Sequence, residues 1–312
     1  MTFKCFKHST LFLLPVVLCI LVVSCTTDPV EYQWKRQTTG STSYLRGIWG
    51  TSSHNVFAVG DGGTILHFDG SGWSGMNSGT TLSLQDLWGS SDKDIFAVGP
   101  GGLVLHYDGT AWSTMASGTT VSLFDVYGTS ASDVYAVGAG GTILHYDGQG
   151  WNQMESGTTQ NLRAVWGTRS RIHPAVPQSL FGVFAVGLTS LRHYDGEQWN
   201  GMGSPAQGLG VWGANLNDVF AITSKGDIFH SEGDTFQVSW TGQASGYLHG
   251  IWGSSGQDVF AVGYGGTILH YDGANWSRMS SGTSIVLNSV WGSAENDVFA
   301  VGFNGTILHY GP

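Results

Sequence analysis

The stretch DVFAVGYGGTILHYDGANW, Asp258 to Trp276, recurs in close copies along nearly the whole chain. Within DVFAVG, Val259, Ala261 and Gly263 fall on one face of a strand and Phe260 and Val262 on the other, because side chains alternate along an extended backbone. TILHYDG repeats the pattern, with Leu269 and Tyr271 opposite Ile268 and His270. Both faces are apolar, which is unusual for an open antiparallel sheet with one wet side. Gly265 and Gly266 supply the positive φ of a tight hairpin, and Asp272-Gly273 supplies a second turn. With Leu248 to Trp252 upstream and Trp276 to Ser280 downstream, one repeat predicts an antiparallel meander of four strands.

The second-strand motif begins at Val56, Ile95, Val134, Val183, Val219, Val259 and Val298, giving spacings of 39, 39, 49, 36, 40 and 39 residues. A four-strand unit with a period of roughly 40 to 50 residues is that of a propeller blade. Radial packing then buries both faces of every blade against its neighbours. The expected fold class is all-β: a seven-bladed β-propeller with four antiparallel strands per blade. The last copy stops after its third strand, TILHY, whereas Trp34 to Gly40 looks like the WxxMxSGTT tail of the other copies. An N-terminal strand is therefore expected to close the last blade and lock the circle.

The N-terminus reads differently. Lys4, Lys7 and His8 precede an apolar run from Leu11 to Val23 that is short for a membrane span, and Val22-Val23-Ser24-Cys25 ends it. This pattern resembles a bacterial lipoprotein signal, which implies cleavage before Cys25 and its lipidation; an uncleaved anchor or an ordinary secretory signal are the alternatives. The expected organisation is a signal peptide over 1–24, a short tether over 25–30 and the ring over 31–312. Thr26 after the Cys implies, by the same resemblance, an outer-membrane location in the cell envelope. Cys5 and Cys19 lie in the removed segment, so the mature ring has no disulfide partner for Cys25.

Removing residues 1–24 takes Lys4 and Lys7 from 12 basic residues and nothing from 22 acidic ones, so the mature charge is −12 with His neutral. A basic footprint for nucleic acid is absent. Asp69, Asp108, Asp147, Asp195 and Asp272 recur in turns, where Asp serves turn chemistry and solubility.

Residues shared by all copies are expected to build the blade. The His of the third strand recurs as His67, His106, His145, His193, His230, His270 and His309. One per blade places them too far apart to share a metal. Partners in the first turn, such as Ser254 and Asp258, are expected instead, in clusters resembling the His-Ser-Asp-Trp networks of WD-repeat propellers. The Trp of the WG step (Trp49, Trp88, Trp166, Trp212, Trp252, Trp291, with Tyr127 substituting) is expected in the core.

Residues that differ between copies are the candidates for binding. After the repeated Leu of the first strand come Arg46, Gln85, Phe124, Arg163, His249 and Asn288, a mixed polar collar at the channel. Beside two of them, Asp86 and Asp125 on adjacent blades are the pair a cation would find, but two ligands are few and no metal or cofactor is expected. In the loops between second and third strands, Tyr264 and Phe303 sit on neighbouring blades and, with Trp240, are candidates for an aromatic patch. Blade four carries an insertion between its first and second strands. Its Arg169, Arg171 and His173 form a candidate partner loop on the face opposite the collar.

The repeat WGSSxxDVFAVGxxGTILHYDGxxW is similar to those of bacterial envelope propellers of the BNR or Asp-box type and of photosystem II assembly-factor-like propellers. The resemblance spans residues 31 to 312, and such propellers include sialidases, glycan binders and assembly factors. A sialidase site needs three converging Arg, a Tyr nucleophile with a Glu, and an acid Asp. Only Arg46 and Arg163 lie on first strands, in blades nearly across the ring, so no catalytic residue is assigned. The glycine turns lack the GK[ST] ending of a phosphate cradle. The function expected is a lipid-anchored, non-catalytic, monomeric ring that binds or scaffolds an envelope protein or glycan and touches the membrane only through its anchor. A carbohydrate-active enzyme working at the channel mouth, with Asp86, Asp125 and His249, is the alternative.

Overall fold

The computed structural model describes residues 31–168, 182–202, 207–232, 235–242 and 246–311. A single compact unit runs from Tyr32 to Pro312. It consists of seven separate four-stranded antiparallel sheets. In blade six the strands are Leu248–Ser255, Asp258–Gly263, Ile268–Tyr271 and Trp276–Met279, within a few residues of the sequence reading. Among the described residues, every strand of the seven sheets lies between Gln33 and Gly311.

The doubly apolar strands are explained by where their two faces go. Val259, Ala261 and Leu269 of blade six pack with Phe220, Ile222 and Ile228 of blade five. Phe260, Val262 and Ile268 pack with Val298, Ala300 and Leu308 of blade seven. Equivalent clusters fill the remaining interfaces, so the core is a set of layers between blades, with no hydrophobic centre on the axis. The seventh sheet has the order expected for closure: Gln33–Arg36 pairs with Ile307–Gly311, with Trp34 opposite Tyr310 and Arg36 opposite Leu308. Trp34 then edges onto Phe260 of blade six at 6.2 Å and lies 5.4 Å from Tyr310. Those contacts reproduce those of Trp276 with Phe220 and Tyr271 in the preceding interface.

Two glycine positions are set by neighbouring blades. The WG tryptophan, expected in the core, is buried in blade four (Trp166) and partly exposed beside the central channel in the other five, and it packs against the glycine of the next blade. A Cβ on Gly253 would sit 2.7 Å from the Trp212 ring, and one on Gly292 2.7 Å from Trp252. Gly266 combines φ +72° with a close approach, since a Cβ there would meet the Thr283 carbonyl at 2.1 Å.

Truncating Trp34 to Ala is expected to cost about 3–5 kcal/mol, because it empties a buried aromatic site and frees the closing strand. The melting temperature of the ring should fall by about 10 °C. Deleting residues 31–39 should lower it further, and an unchanged melting temperature in either variant would rule out closure through this strand.

Candidate functional site

The collar is made by a repeated irregularity in the innermost strands. Leu248 pairs with Gly263 and Gly250 with Val262, so His249 is skipped by the ladder. The same shift isolates Arg46, Phe124, Arg163, Leu209 and Asn288. In blade two the strand begins at Asp86, with Gln85 N–H donating to the Val98 carbonyl at 2.7 Å. Such a bulge re-aims its extra side chain. All seven of these residues line one cavity of about 220 Å³ between the blades, on the ring axis. Leu209 is the member that sequence reading missed: Gly208 stands where other blades have Leu, although counting back from Trp212-Gly213 finds it.

Four collar residues have distinct chemistry. Arg46 Nε–H donates to Asp61 Oδ1 at 2.6 Å, and this bond holds the Asp61 carboxyl below its usual range. Asn288 Nδ2–H donates to the Leu45 carbonyl at 2.7 Å, joining blades seven and one. Burial pushes the His249 imidazole toward its neutral form. The Arg163 guanidinium lies over the Phe124 ring, 4.4 Å from its centroid, and its buried Nε has no hydrogen-bond acceptor among the described residues. Arg163 is thus a cation positioned at the mouth with donor capacity to spare.

Below the collar, Asp86 and Asp125 bond to each other across blades two and three. Asp125 Oδ1 accepts from Val126 N–H at 2.9 Å and Oδ2 from Val165 N–H at 2.6 Å, which ties blade three to blade four. The equivalent positions hold Gly47, Ala164, Gly210, Gly250 and Ser289, none with a carboxylate. The narrow channel surrounds both carboxyls with protein. That desolvation, followed by repulsion from Asp125, raises the Asp86 pKa well above the carboxylate range; burial raises Asp125 as well. Each carboxyl accepts from two amides, but their mutual bond raises Asp86 and lowers Asp125, so Asp86 is the member that holds the proton more tightly. Among the described residues no three His, Cys, Asp or Glu side chains converge as metal ligands.

The repeated histidines lie at the opposite end of the blades. His270 Nε2–H donates to Asp258 Oδ1 at 2.7 Å, and Ser254 Oγ–H donates to Asp258 Oδ2 at 2.6 Å. Each imidazole lies against the aromatic of the second strand, as His309 does on Phe299 at 4.1 Å. Blades two, three and seven repeat the Ser/Thr–Asp–His arrangement, and blade one uses Asn55 with His67. Asp stands between the hydroxyl and the imidazole. The hydroxyl therefore has no basic nitrogen to take its proton, and the cluster holds the turn without activating a nucleophile.

Phe303 stacks on Tyr44 at 4.2 Å and 11°, and Tyr264 is 58% exposed, both on the collar side. Trp240 is displaced from the position expected for it. An extra residue, Ser239, bulges the outer strand of blade five, so Trp240 pairs with Ile228 where Met76 pairs with Ile65. It packs on the core between blades five and six. Arg169, Arg171, His173 and Cys25 lie outside the described residues.

A carboxyl kept protonated by the fold but ionised in the unfolded chain costs stability as pH rises above the ordinary carboxylate range. The cost grows until the folded-state group itself ionises. Asp86→Asn, which keeps a donor toward Asp125 and removes the titration, should raise the melting temperature at pH 7 by about 2–4 °C, on the order of 1 kcal/mol. The gain should vanish near pH 3, and thermal melts across that range check it.

No family model and no curated protein sequence matches the chain. Solved structures do. YCF48 bound to D1 peptide superposes with a TM-score of 0.71 at 14% identity, over 91% of this chain and 96% of its own. YCF48 from Cyanidioschyzon merolae gives 0.70 at 15% identity, over 90% and 99%. The WD40 propeller domain of Doa1 gives 0.74 at 10% identity, over 90% and 96%. At these identities the likeness establishes the fold: a seven-bladed β-propeller.

Proposed function

We propose that the chain is a lipid-anchored, extracytoplasmic propeller that binds a protein segment at its channel mouth and performs no catalysis. The observation that carries this reading is the collar: one side chain per blade, set on a bulge in six of the seven and varied in type around the ring, lining a common mouth. A residue that the ladder skips and the core does not use is free to vary with a ligand. Arg163 on Phe124 adds a cation with an unused donor, suited to a carbonyl or carboxylate of a bound chain. The structural neighbour solved with a peptide lends support by analogy of fold only. Lipidation at Cys25 and an envelope location rest on the leader sequence. In this reading the partner is an envelope protein, and the ring acts as a monomer.

The glycosidase alternative loses its main support. Carboxyls that flank a glycosidic bond stand roughly 5–9.5 Å apart so that sugar or water fits between them. Asp86 and Asp125 bond directly to each other. A glycan held without turnover remains compatible with the mouth, but nothing there favours it over a peptide.

Cross-linking capture from native membranes tests the proposal. Wild type should retain a specific protein partner, Arg163→Glu should lose it by at least about tenfold, equivalent to about 1.4 kcal/mol, and Lys93→Glu in a turn at the opposite end should not. Equal capture by the Arg163 and Lys93 variants would exclude the mouth.

A further inference from the structure

Charge and apolar exposure are segregated between the two ends of the ring. Successive strands run in opposite directions, so first-to-second and third-to-fourth turns gather on one face, and the remaining loops gather on the other with the collar. Outside the channel, only Asp61, Glu155 and Asp227 among the described carboxylates lie toward the collar face. They are offset there by Lys225, by Arg192, which donates to the Gly157 carbonyl, and by Arg36 beside Gly305. The exposed large apolar residues divide the other way. Tyr44, Leu82, Val121, Leu188, Tyr247 and Tyr264 all project from collar-side loops, with exposures of 36–58%. Of the remaining two, Val238 is on an outer strand and Tyr32 precedes the closing strand. Single exposed apolar residues are ordinary; their concentration on the face that lacks acids is not.

We infer that the collar face docks on a lipid bilayer surface, inserting these loop tips at the headgroup boundary. Tyr44, Leu82, Val121 and Tyr247 come from the loops between blades, and Leu188 and Tyr264 from the loops between second and third strands, all on the one face. Leu82 and Val121 directly follow polar SGTT segments, so polar backbone lies between the apolar tips. A rigid, flat protein would touch only the tips and leave unfilled gaps, whereas the fluid headgroup region closes around each one. Tyr suits that boundary, with an apolar ring and a hydroxyl that stays wet. Balanced charge on this face permits approach to an anionic surface, while the carboxylate-rich face is repelled from it. Docked this way, the channel mouth opens onto the bilayer surface. The inference concerns loop tips and is separate from the ligand chemistry of the mouth.

The test uses residues 31–312, which contain every strand of the ring and lack Cys25, with vesicles of phosphatidylethanolamine and phosphatidylglycerol. The ring should float with the vesicles. Tyr247→Ser with Tyr264→Ser should reduce the bound fraction at least about fivefold, and adding Leu82→Ser should abolish it, at an unchanged melting temperature. Failure of the wild-type ring to float, or equal flotation of the variants, would overturn the inference. Concentration-dependent self-association lost in the same variants, without vesicle binding, would instead assign the face to a second copy of the chain. Partner capture through Arg163 is read separately, so either idea can fail alone.

Discussion

The pairing of Gln33–Arg36 with Ile307–Gly311 is the constraint on which the other features depend. Each blade buries both faces only because a neighbour stands on each side, and a ring of such layers has no stable end. Supplying the last outer strand from the opposite terminus joins the two ends of the chain. Trp34 then fills the interface between blades six and seven as its counterparts fill theirs. Closure also brings seven innermost strands around one axis, and that is what lets bulged residues from distant parts of the chain share a mouth.

Within the closed ring, neighbouring blades are held in step by the tryptophan of one WG step against the glycine of the next. The contact recurs from Trp49 on Gly89 to Trp291 on Gly50. At the one substitution, Tyr127, the facing Gly167 has no aromatic atom among its nearest neighbours. The same sector carries the Asp125 carboxylate across to Val165 N–H, as Asp86 reaches from blade two to Val126 N–H of blade three. The ring is therefore regular in its outer layers and individual at its axis.

Much of this was legible in the sequence, because a sevenfold internal repeat separates what every blade needs from what only one has. The blade strands, the closing strand and the Ser254–Asp258–His270 cluster follow from residue type, period and spacing. The collar positions were found by their variability, but their cause was not: a bulge is a property of the hydrogen-bond ladder, invisible to alternation alone. For the same reason the extra Ser239 shifted Trp240 by one place, and Leu209 was hidden behind Gly208. Asp86 and Asp125 were legible as a pair on adjacent blades, but their direct bond, and that of Arg46 to Asp61, required knowing how far the side chains reach. The separation of acids from exposed apolar tips becomes visible only when turns and loops are assigned to opposite ends.

Amide hydrogen exchange across Ile307–Gly311 tests the closure most directly. If the N-terminal strand completes the seventh blade, these amides exchange as slowly as those of Ile268–Tyr271, the equivalent interior strand of blade six. Exchange at the rate of an outer strand such as Trp276–Met279 would show that blade seven ends at its third strand, and would contradict the closed ring.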